Sequence, residues 1–349
     1  MGGDHAPAEV VHGAVVALRQ DPHVRLQLVG DEPRIRQELA IRENALAPAQ
    51  NDRLALVYAP EVIGMSEAAA ALRKKRGASI MVAMDQVREG RAQAVVAAGS
   101  TGAAMSAALL RWGRIKGVER PAIAAVLPTI KGPCVLLDLG ANVDCKPEWL
   151  MQFALMGTEY SRMVLKVTRP RVGVLNIGEE PEKGDEKAVA FHNLLRAEAE
   201  RQGPEPTWDF AGNVEGRAIW QGAADVVVTD GFTGNVVLKT AEGVAALVTD
   251  LLVDEIRRGG LRAKLGALLM KGAFRGLKRR TDPAEYGGAL LLGVEGVCVI
   301  CHGSSKGYAV ANAVRVAREA VAGDYLSLIR ERVGRAEAET EAGPTRSAL

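Results

Sequence analysis

Six segments rich in glycine and small polar residues concentrate the groups of this chain that could bind an anion. They are Ala97–Ala103, Asp138–Asp144, Asn176–Gly184, Gly212–Gly216, Thr229–Asn235 and His302–Lys306. Glycine lets backbone N–H groups approach a ligand closely, and a helix that begins there favours negative charge at its N-terminus. A single glycine-rich loop is routinely only a turn. Six such loops at one sheet edge predict an anion site.

Missing motifs narrow the choice of anion. The chain has no G-x-x-x-x-G-K-[ST] and no G-x-G-x-x-G after a strand, which disfavours nucleotide and ordinary dinucleotide sites. It has no H-E-x-x-H and no G-x-S-x-G, so the sequence makes no case for a zinc protease or a serine hydrolase. Small phosphate, or a phosphorylated carboxylic acid, is left as the predicted ligand.

Cys298, Cys301 and His302 have the spacing of a c-type haem attachment site. They stand in an apolar strand pattern, however, and side chains three positions apart in a strand face opposite sides of the sheet. We therefore expect two buried thiols rather than a haem site.

The elements that must position these loops alternate along the chain. Predicted strands are Val24–Gly30, Leu54–Ala59, Ala94–Ala98, Ala122–Leu127, Cys134–Leu139, Val172–Ile177, Thr207–Ala211, Val226–Thr229 and Val297–Cys301. Predicted helices are Pro7–Gln20, Thr101–Trp112, Pro147–Val167, Lys183–Gln202, Gly234–Arg257 and Ser305–Val321. Several strands are apolar throughout, as in parallel sheets, so the pattern predicts a doubly wound α/β architecture. Ligands bind at the carboxyl ends of strands in such sheets.

One α/β domain is predicted over residues 1–334. Within it, Arg257–Thr281 breaks the alternation as a helical excursion, and Arg335–Leu349 beyond it is predicted to be a disordered tail. The chain opens with the glycine loop Met1–Pro7, and no strand pattern precedes that loop. Either this loop is a free terminus, or a first strand is missing.

Bulk properties exclude several classes of protein. The chain has 349 residues, of which 48% are hydrophobic and 25% charged, as in ordinary globular proteins. Its net charge of +2 argues against a nucleic-acid binder. No apolar run is long enough to span a bilayer, and no export leader opens the chain. We expect a reducing compartment, where the four cysteines are free thiols.

Eight motifs occur in an order that resembles one bacterial enzyme family. They are Met1–Pro7, Ala98–Ala103, Asp138–Asn142, Asn176–Gly184, Gly212–Gly216, Asp230–Asn235, Tyr286–Ala289 and His302–Ser305. The chain resembles the acyl-carrier-protein:phosphate acyltransferases of the PlsX type over about residues 1–330. Two features depart from the family pattern: the family usually has a short strand before the first motif, and it has Asn where this chain has Ser100.

The resemblance implies a fold and an activity. The fold is a Rossmann-like three-layer sandwich, related to isopropylmalate dehydrogenase and phosphotransacetylase. The activity is reversible transfer of a long-chain fatty acyl group from acyl carrier protein to inorganic phosphate, which gives acyl phosphate for phospholipid synthesis. The resemblance further implies a cytoplasmic homodimer, peripherally associated with the inner face of the membrane, whose product passes to a membrane glycerol-3-phosphate acyltransferase. No cofactor and no metal are expected.

In this reaction phosphate is itself the nucleophile, so the protein must position it, screen its charge and supply donors to the oxyanion. The catalytic candidates are Lys183, Asp230, Asn235 and Asn142. The candidates for substrate binding are Gly99, Ser100, Thr101, Gly102, Asn176, Gly178, Glu179, Asn213, Glu215, Thr233, Gly234, His302 and Ser304. Lys187, one helical turn after Lys183, is a substitute for it. Lys183 is equally well explained as a solvated residue at the start of a helix. His302 is equally well explained as a buried histidine with a structural role.

The helical excursion has a basic face. On a helical wheel over Leu261–Arg280, four cations fall within about 60° of one another and apolar side chains oppose them. The candidates for membrane or dimer contact are Lys264, Leu265, Leu269, Met270, Lys271, Phe274, Arg275, Leu277 and Lys278. Such a face suits an anionic membrane, but it also suits a dimer mate or an acidic carrier protein.

Three other functions are compatible with parts of the pattern. A short-chain phosphotransacylase that uses acyl-coenzyme A also joins phosphate to a thioester. A non-catalytic scaffold at the membrane surface would use only the basic excursion. A nicotinamide-dependent dehydrogenase would share the related fold.

Overall fold

The computed structural model describes residues 1–42 and 48–341 of the chain. Side chains at positions 48, 49, 278, 283 and 335–341 lie outside that description.

Ten strands and thirteen helices follow one another in this part of the chain. The strands are β1 Leu26–Gly30, β2 Leu54–Tyr58, β3 Ala94–Ala97, β4 Ala122–Pro128, β5 Pro133–Leu137, β6 Arg171–Asn176, β7 Asp209–Glu215, β8 Val226–Val228, β9 Ala289–Leu292 and β10 Val297–Ile300. The helices are α1 Ala8–Gln20, α2 Glu32–Ala40, α3 Pro48–Asn51, α4 Ser79–Arg88, α5 Thr101–Arg111, α6 Pro147–Val164, α7 Glu186–Arg201, α8 Gly216–Trp220, α9 Gly231–Arg258, α10 Gly260–Leu269, α11 Lys271–Thr281, α12 Gly307–Ala322 and α13 Tyr325–Glu341. Short 3-10 helices cover Ala69–Arg73 and Pro283–Tyr286.

Eight strands form one sheet, in the order β3-β10-β9-β4-β5-β8-β6-β7. The pairs β3–β10, β5–β8, β8–β6 and β6–β7 are parallel, whereas β10–β9, β9–β4 and β4–β5 are antiparallel. Strands β3, β10 and β4 therefore run one way, and the other five strands run the opposite way.

Helices cover both faces of this sheet, because alternate side chains of its apolar strands point to opposite sides. One face packs against α6, α7, α12 and α13, around Phe153, Phe191 and Tyr325. The other face packs against α4 and α5 and against the first turns of α9, which contribute Val237 and Leu238. The predicted three-layer α/β sandwich is confirmed.

The sheet is mixed, so the prediction of a parallel sheet is wrong. Between β4 and β5 the chain turns back through Thr129–Gly132, and the Thr129 N–H donates to the carbonyl of Gly132 at 3.0 Å. So short a connection makes a hairpin, whereas a parallel crossover needs a dozen residues or more. Strand β9, which the sequence reading missed, pairs with β10 through a second short turn at Gly293.

Strands β1 and β2 form a separate parallel pair. A cavity of about 690 Å³ lies between β1 and β3, and Met1 and Gly2 line it together with both strands. The helices α1 and α12 on one side and α4 and α5 on the other close around it with mostly apolar side chains.

The helical excursion and the predicted C-terminal tail differ in detail from the sequence prediction. The excursion is helical as predicted, but it breaks at Met270 into α10 and α11, so the single wheel drawn over Leu261–Arg280 does not apply across that residue. Helix α13 runs on through Glu341, into the predicted tail, and the prediction for residues 342–349 lies outside the described residues. Among the residues that the structure describes, none of the helices combines the length and the apolar character needed to cross a bilayer.

Candidate functional site

The glycine-rich loops fall into two groups at opposite ends of the sheet. The prediction that they share one edge is wrong, because β3 and β10 run against β5, β6, β7 and β8. We call the first group, at the carboxyl ends of β3 and β10, the Ser100 edge; it comprises residues 97–103 and 302–306. The second group, the Lys183 edge, comprises residues 138–144, 176–184, 212–216 and 229–235. The prediction of a loop at Gly212–Gly216 is wrong, because residues 212–215 are the last part of β7 and α8 begins at Gly216.

A buried carboxylate organises the Lys183 edge. Asp138 follows β5 and is fully buried. Its Oδ1 accepts from the N–H groups of Ile123 at 3.0 Å and Ala141 at 3.1 Å. Its Oδ2 accepts from the backbone N–H of Asn142 at 2.7 Å and from its Nδ2 at 2.9 Å. Burial raises the pKa of Asp138, and these four donors act in the opposite direction.

Helix α9 begins directly against Asp138. A Cβ on Gly231 would lie 2.6 Å from the carbonyl oxygen of Asn142 and 2.9 Å from Oδ2 of Asp138. A Cβ on Gly234 would overlap the carbonyl oxygen of Asp138. Glycine is therefore required at both positions for the helix to come so close. The predicted substrate ligand Gly234 serves this packing.

Asp230 caps α9. Its Oδ1 accepts from the Thr233 N–H, and its Oδ2 accepts from the Thr233 hydroxyl, both at 2.8 Å. Asn142 is similarly engaged, because its Nδ2 also donates to the carbonyl of Pro121 at 2.7 Å. These predicted catalytic side chains hold the loops in place.

Hydrogen bonds hold the backbone of Lys183 in place, whereas its side chain is exposed. Its N–H donates to the carbonyl of Glu180 at 3.1 Å. Its carbonyl accepts from Nδ2 of Asn176 at 2.8 Å, and Oδ1 of Asn176 accepts from the Ile177 N–H. The aliphatic part of Lys183 lies over Gly178, where a Cβ would be 3.0 Å from Cγ of the lysine. In the described part of the chain, no carboxylate pairs with its ammonium group.

Lys187 is paired. Its ammonium group contacts Asp144 and so ties α7 to the loop after β5. That bond raises the pKa of Lys187 and lowers the pKa of Asp144. Lys183 is therefore the more available cation of the two.

The other predicted residues of the Lys183 edge divide between exposed and engaged side chains. Asn235, the fifth residue of α9, is exposed beside Gly140, and no hydrogen bond to its side chain is found among the described residues. Glu179 is exposed as well. Glu215 accepts from Arg217 at 2.6 Å, and Asn213 is buried in β7.

At the Ser100 edge, a loop opens α5. Ser100 caps the helix, with its hydroxyl accepting from the Ala103 N–H at 3.4 Å. Thr101 is exposed, and Gly99 packs beside Gly2. His302 is also exposed, which rules out the reading of a buried histidine, and its Nδ1 lies 2.7 Å from the hydroxyl of Ser304.

The four cysteines are free, as predicted, and all four are buried, although burial was predicted only for Cys298 and Cys301. Cys298 and Cys301 pack on opposite faces of the sheet, in agreement with the argument against a haem site. Burial raises the pKa of each to about 12. Within residues 1–42 and 48–341, no three His, Cys, Asp or Glu side chains converge in a way that could ligate a metal ion.

The predicted contact residues of the excursion are mostly exposed. Lys264, Leu265, Leu269, Met270, Lys271, Arg275 and Leu277 are exposed, and Phe274 is half-buried. The side chain of Lys278 lies outside the described residues. A further exposed stripe on α9 was not predicted; it consists of Val244, Leu247, Val248, Leu251 and Leu252.

Sequence reasoning also missed an apolar rim on the Lys183 edge. Val143, Ile177 and Phe232 are 72%, 80% and 64% exposed; the first two stand on the loops after β5 and β6, and Phe232 stands in the first turn of α9. Each lies next to a polar residue that was singled out, so the signal in the sequence was an apolar residue inside a glycine-rich loop.

Comparisons with known proteins agree with this fold. A family model described as "Fatty acid synthesis protein" matches residues 1–327. The phosphate acyltransferase of Heliobacterium modesticaldum is 51% identical over 334 residues, which are 95% of this chain and 96% of that protein. The phosphate acyltransferase of Pelotomaculum thermopropionicum is 49% identical over 344 residues, 98% of this chain and 96% of that protein.

Among solved structures, the EutD phosphotransacetylase from Staphylococcus aureus superposes with a TM-score of 0.58 at 17% identity, covering 90% of this chain and 91% of that one. A branched-chain phosphotransacylase from Enterococcus faecalis gives a TM-score of 0.52 at 14% identity, covering 92% and 97%. At these identities the likeness is one of fold.

Fold and relatives together define the class: the protein is an acyltransferase. More particularly, the chain belongs to the fatty acid synthesis protein family.

The contact between α9 and Asp138 gives a first prediction. Gly234→Ala should lower the free energy of unfolding by about 1–3 kcal/mol, because the new methyl group overlaps the backbone carbonyl oxygen of Asp138. Gly243→Ala on the same helix meets nothing within 4 Å and should instead raise it by about 0.5–1 kcal/mol. Urea unfolding measures both, and equal effects of the two substitutions would contradict the packing argument.

Proposed function

We propose that the protein transfers a long-chain fatty acyl group from acyl carrier protein to inorganic phosphate and so makes acyl phosphate for phospholipid synthesis. The names of its relatives, phosphate acyltransferases, support phosphate as the acceptor. The resemblance to the acyl-carrier-protein:phosphate acyltransferases, which the eight ordered motifs carry, supports acyl carrier protein as the donor. A membrane glycerol-3-phosphate acyltransferase is the proposed consumer of the product.

The proposed reaction needs no acylated side chain. An oxygen of phosphate attacks the thioester carbonyl carbon, a tetrahedral oxyanion forms, and the carbon–sulfur bond breaks to release the carrier thiolate. A thiol with a pKa near ~8.5 leaves with little help from a general acid. The buried cysteines, with pKa values raised to about 12, are unsuited to act as nucleophiles.

The observation that carries the proposal is Lys183. Its backbone is held on both sides while its ammonium group is exposed and unpaired among the described residues. A cation held in this way screens the charge of phosphate without the cost of ordering a loop at each turnover. Asn235, whose amide is exposed on α9 at the same edge, is the proposed neutral donor.

The apolar rim suits an acyl substrate. Val143, Ile177 and Phe232 expose large apolar surfaces, and each is next in the sequence to one of the polar residues of the Lys183 edge. We assign this rim to the part of the acyl chain next to the thioester, because burying it against the chain removes apolar surface from water on both sides.

Substrate contact is also proposed for the Ser100 edge. The first turn of α5 directs N–H groups toward any anion bound there, and the hydroxyl of Thr101 is exposed. The nearby His302 and Ser304 are held to each other, so they would contact a ligand as a pair.

The direct test is incubation of the purified protein with palmitoyl-acyl carrier protein and phosphate. We expect phosphate-dependent release of free carrier thiol and a product that hydroxylamine traps. Palmitoyl-coenzyme A, assayed in parallel, separates this reaction from that of a phosphotransacylase that uses coenzyme A. Binding to lipid or carrier with no product in either assay would support the scaffold instead.

Lys183→Ala should lower turnover at least about tenfold and raise the KM for phosphate, because the charge that binds phosphate and screens it in the transition state is lost. Lys74→Ala, which removes an equally exposed lysine far along the chain, is the control and should have no effect. Steady-state kinetics at varied phosphate measures both. Unchanged kinetics for Lys183→Ala, or a loss confined to Lys187→Ala, would remove Lys183 from the mechanism.

For assembly, we propose that the exposed stripe on α9 packs against a second copy of the chain and that the excursion contacts an anionic membrane. The stripe has the i, i+3, i+4, i+7 spacing of a helix–helix seam. The excursion combines exposed cations with exposed apolar side chains, as interfacial helices do. This arrangement supports a protein that works at the inner face of the membrane.

If the excursion contacts an anionic membrane, binding to vesicles should depend on the cations of the excursion. Reversing Lys264, Lys271 and Arg275 to Glu should abolish flotation with vesicles that contain anionic lipid. Reversing Arg36, Lys74 and Arg196 changes the net charge equally and should leave flotation intact. If flotation of the unmodified protein is indifferent to anionic lipid, the membrane contact is wrong.

A further inference from the structure

His192 is a buried histidine that neither the sequence reading nor the proposed reaction uses. It lies on α7, only 3% exposed, with its ring edge against the ring of Phe210 at a centroid distance of 5.0 Å and an angle of 74°. Its Nδ1 is 2.9 Å from Oδ1 of Asn213, a buried residue of β7. A histidine so enclosed does not reach a ligand at the Lys183 edge.

The chain of hydrogen bonds nevertheless leads to Lys183. Nδ2 of Asn213 donates to the carbonyl of Glu180 at 2.7 Å. The same carbonyl accepts the N–H of Lys183 and so closes the turn from which the lysine side chain starts. Helix α7, strand β7 and the loop after β6 are thus joined through a single buried amide.

The directions of these bonds are fixed by chemistry. A carbonyl oxygen only accepts, so the Asn213 amide must turn its Nδ2 to Glu180 and its Oδ1 to His192. Oδ1 is also an acceptor, and therefore Nδ1 of His192 must carry the hydrogen. Without the N–H of His192, the hydrogen bond to Oδ1 that orients the Asn213 amide is lost. If the amide then flips, its Oδ1 faces the Glu180 carbonyl oxygen, and two acceptors repel each other.

We infer that His192 is a positioning residue, which fixes the Asn213 amide and, through the Glu180 carbonyl, the place of Lys183. The inference rests on the proposed function of Lys183 in binding phosphate. It assigns His192 no contact with substrate.

Kinetics at varied phosphate test the inference. His192→Phe keeps an aromatic ring but removes the donor, and it should raise the KM for phosphate about tenfold, the size of one lost hydrogen bond of about 1.4 kcal/mol. His192→Asn places an amide N–H close to the position of Nδ1 and should restore most of that loss. Leu195→Ala, on the same helix and also buried, loosens the core and should leave this KM unchanged.

A double-mutant cycle separates positioning from general destabilisation. If His192 acts through Lys183, then His192→Phe should change kcat/KM less than about twofold in a Lys183→Ala background. Should His192→Phe not fold, Asn213→Leu removes the amide that links His192 to the Glu180 carbonyl, and in the Lys183→Ala background its effect should likewise fall below about twofold.

Two outcomes overturn the inference. If Lys183→Ala raises the KM for phosphate but His192→Phe does not, or if the two effects simply add, His192 does not position the lysine. If Lys183→Ala itself leaves the KM unchanged, the assigned role of Lys183 fails first, and the inference fails with it. Acyl transfer to phosphate can still be observed in that second case, so the two failures are distinguishable.

Discussion

The Lys183 edge depends on one buried carboxylate and on the absence of side chains beside it. Asp138 gathers four N–H groups from β4 and from its own loop, and α9 begins against it because Gly231 and Gly234 leave room. A buried charge is tolerated only when its hydrogen bonds are complete. The four hydrogen bonds that satisfy Asp138 also fix the loop after β5 against β4.

Around that centre, most polar side chains of the loops bind the protein itself. Asp230, Asn142 and Asn176 each complete a cap or a turn, which leaves Lys183, Asn235 and Glu179 facing outward. An enzyme that stabilises charge with preorganised groups needs both kinds of side chain. The side chains that bind the protein fix the loops, and the outward-facing groups are then in place before the charged substrate arrives. The apolar rim stands on two of these loops and on the first turn of α9.

Much of this was open to prediction from the sequence. Apolar β-branched runs gave most of the strands, and glycine-rich segments after them gave the loops. Strand direction was mistaken because the parallel interpretation was applied to all strands, although Thr129–Gly132 is too short for a crossover. The partners of Asp138 and the burial of His192 depend on contacts between residues far apart in the sequence, and no local pattern carries them. Lys183 could be singled out by type, but its lack of an ion pair could not.

The length of helix α9 determines how far its two ends lie from each other. Its buried residues are Gly231 and Gly234 in the first turn, and its 28 residues extend about 42 Å to the pair Gly259–Gly260, where φ of Gly260 turns positive. The same rod therefore starts in the loops around Asp138 and ends where the basic excursion begins. A surface bound at that far end would therefore lie about one length of the helix from the loops around Asp138.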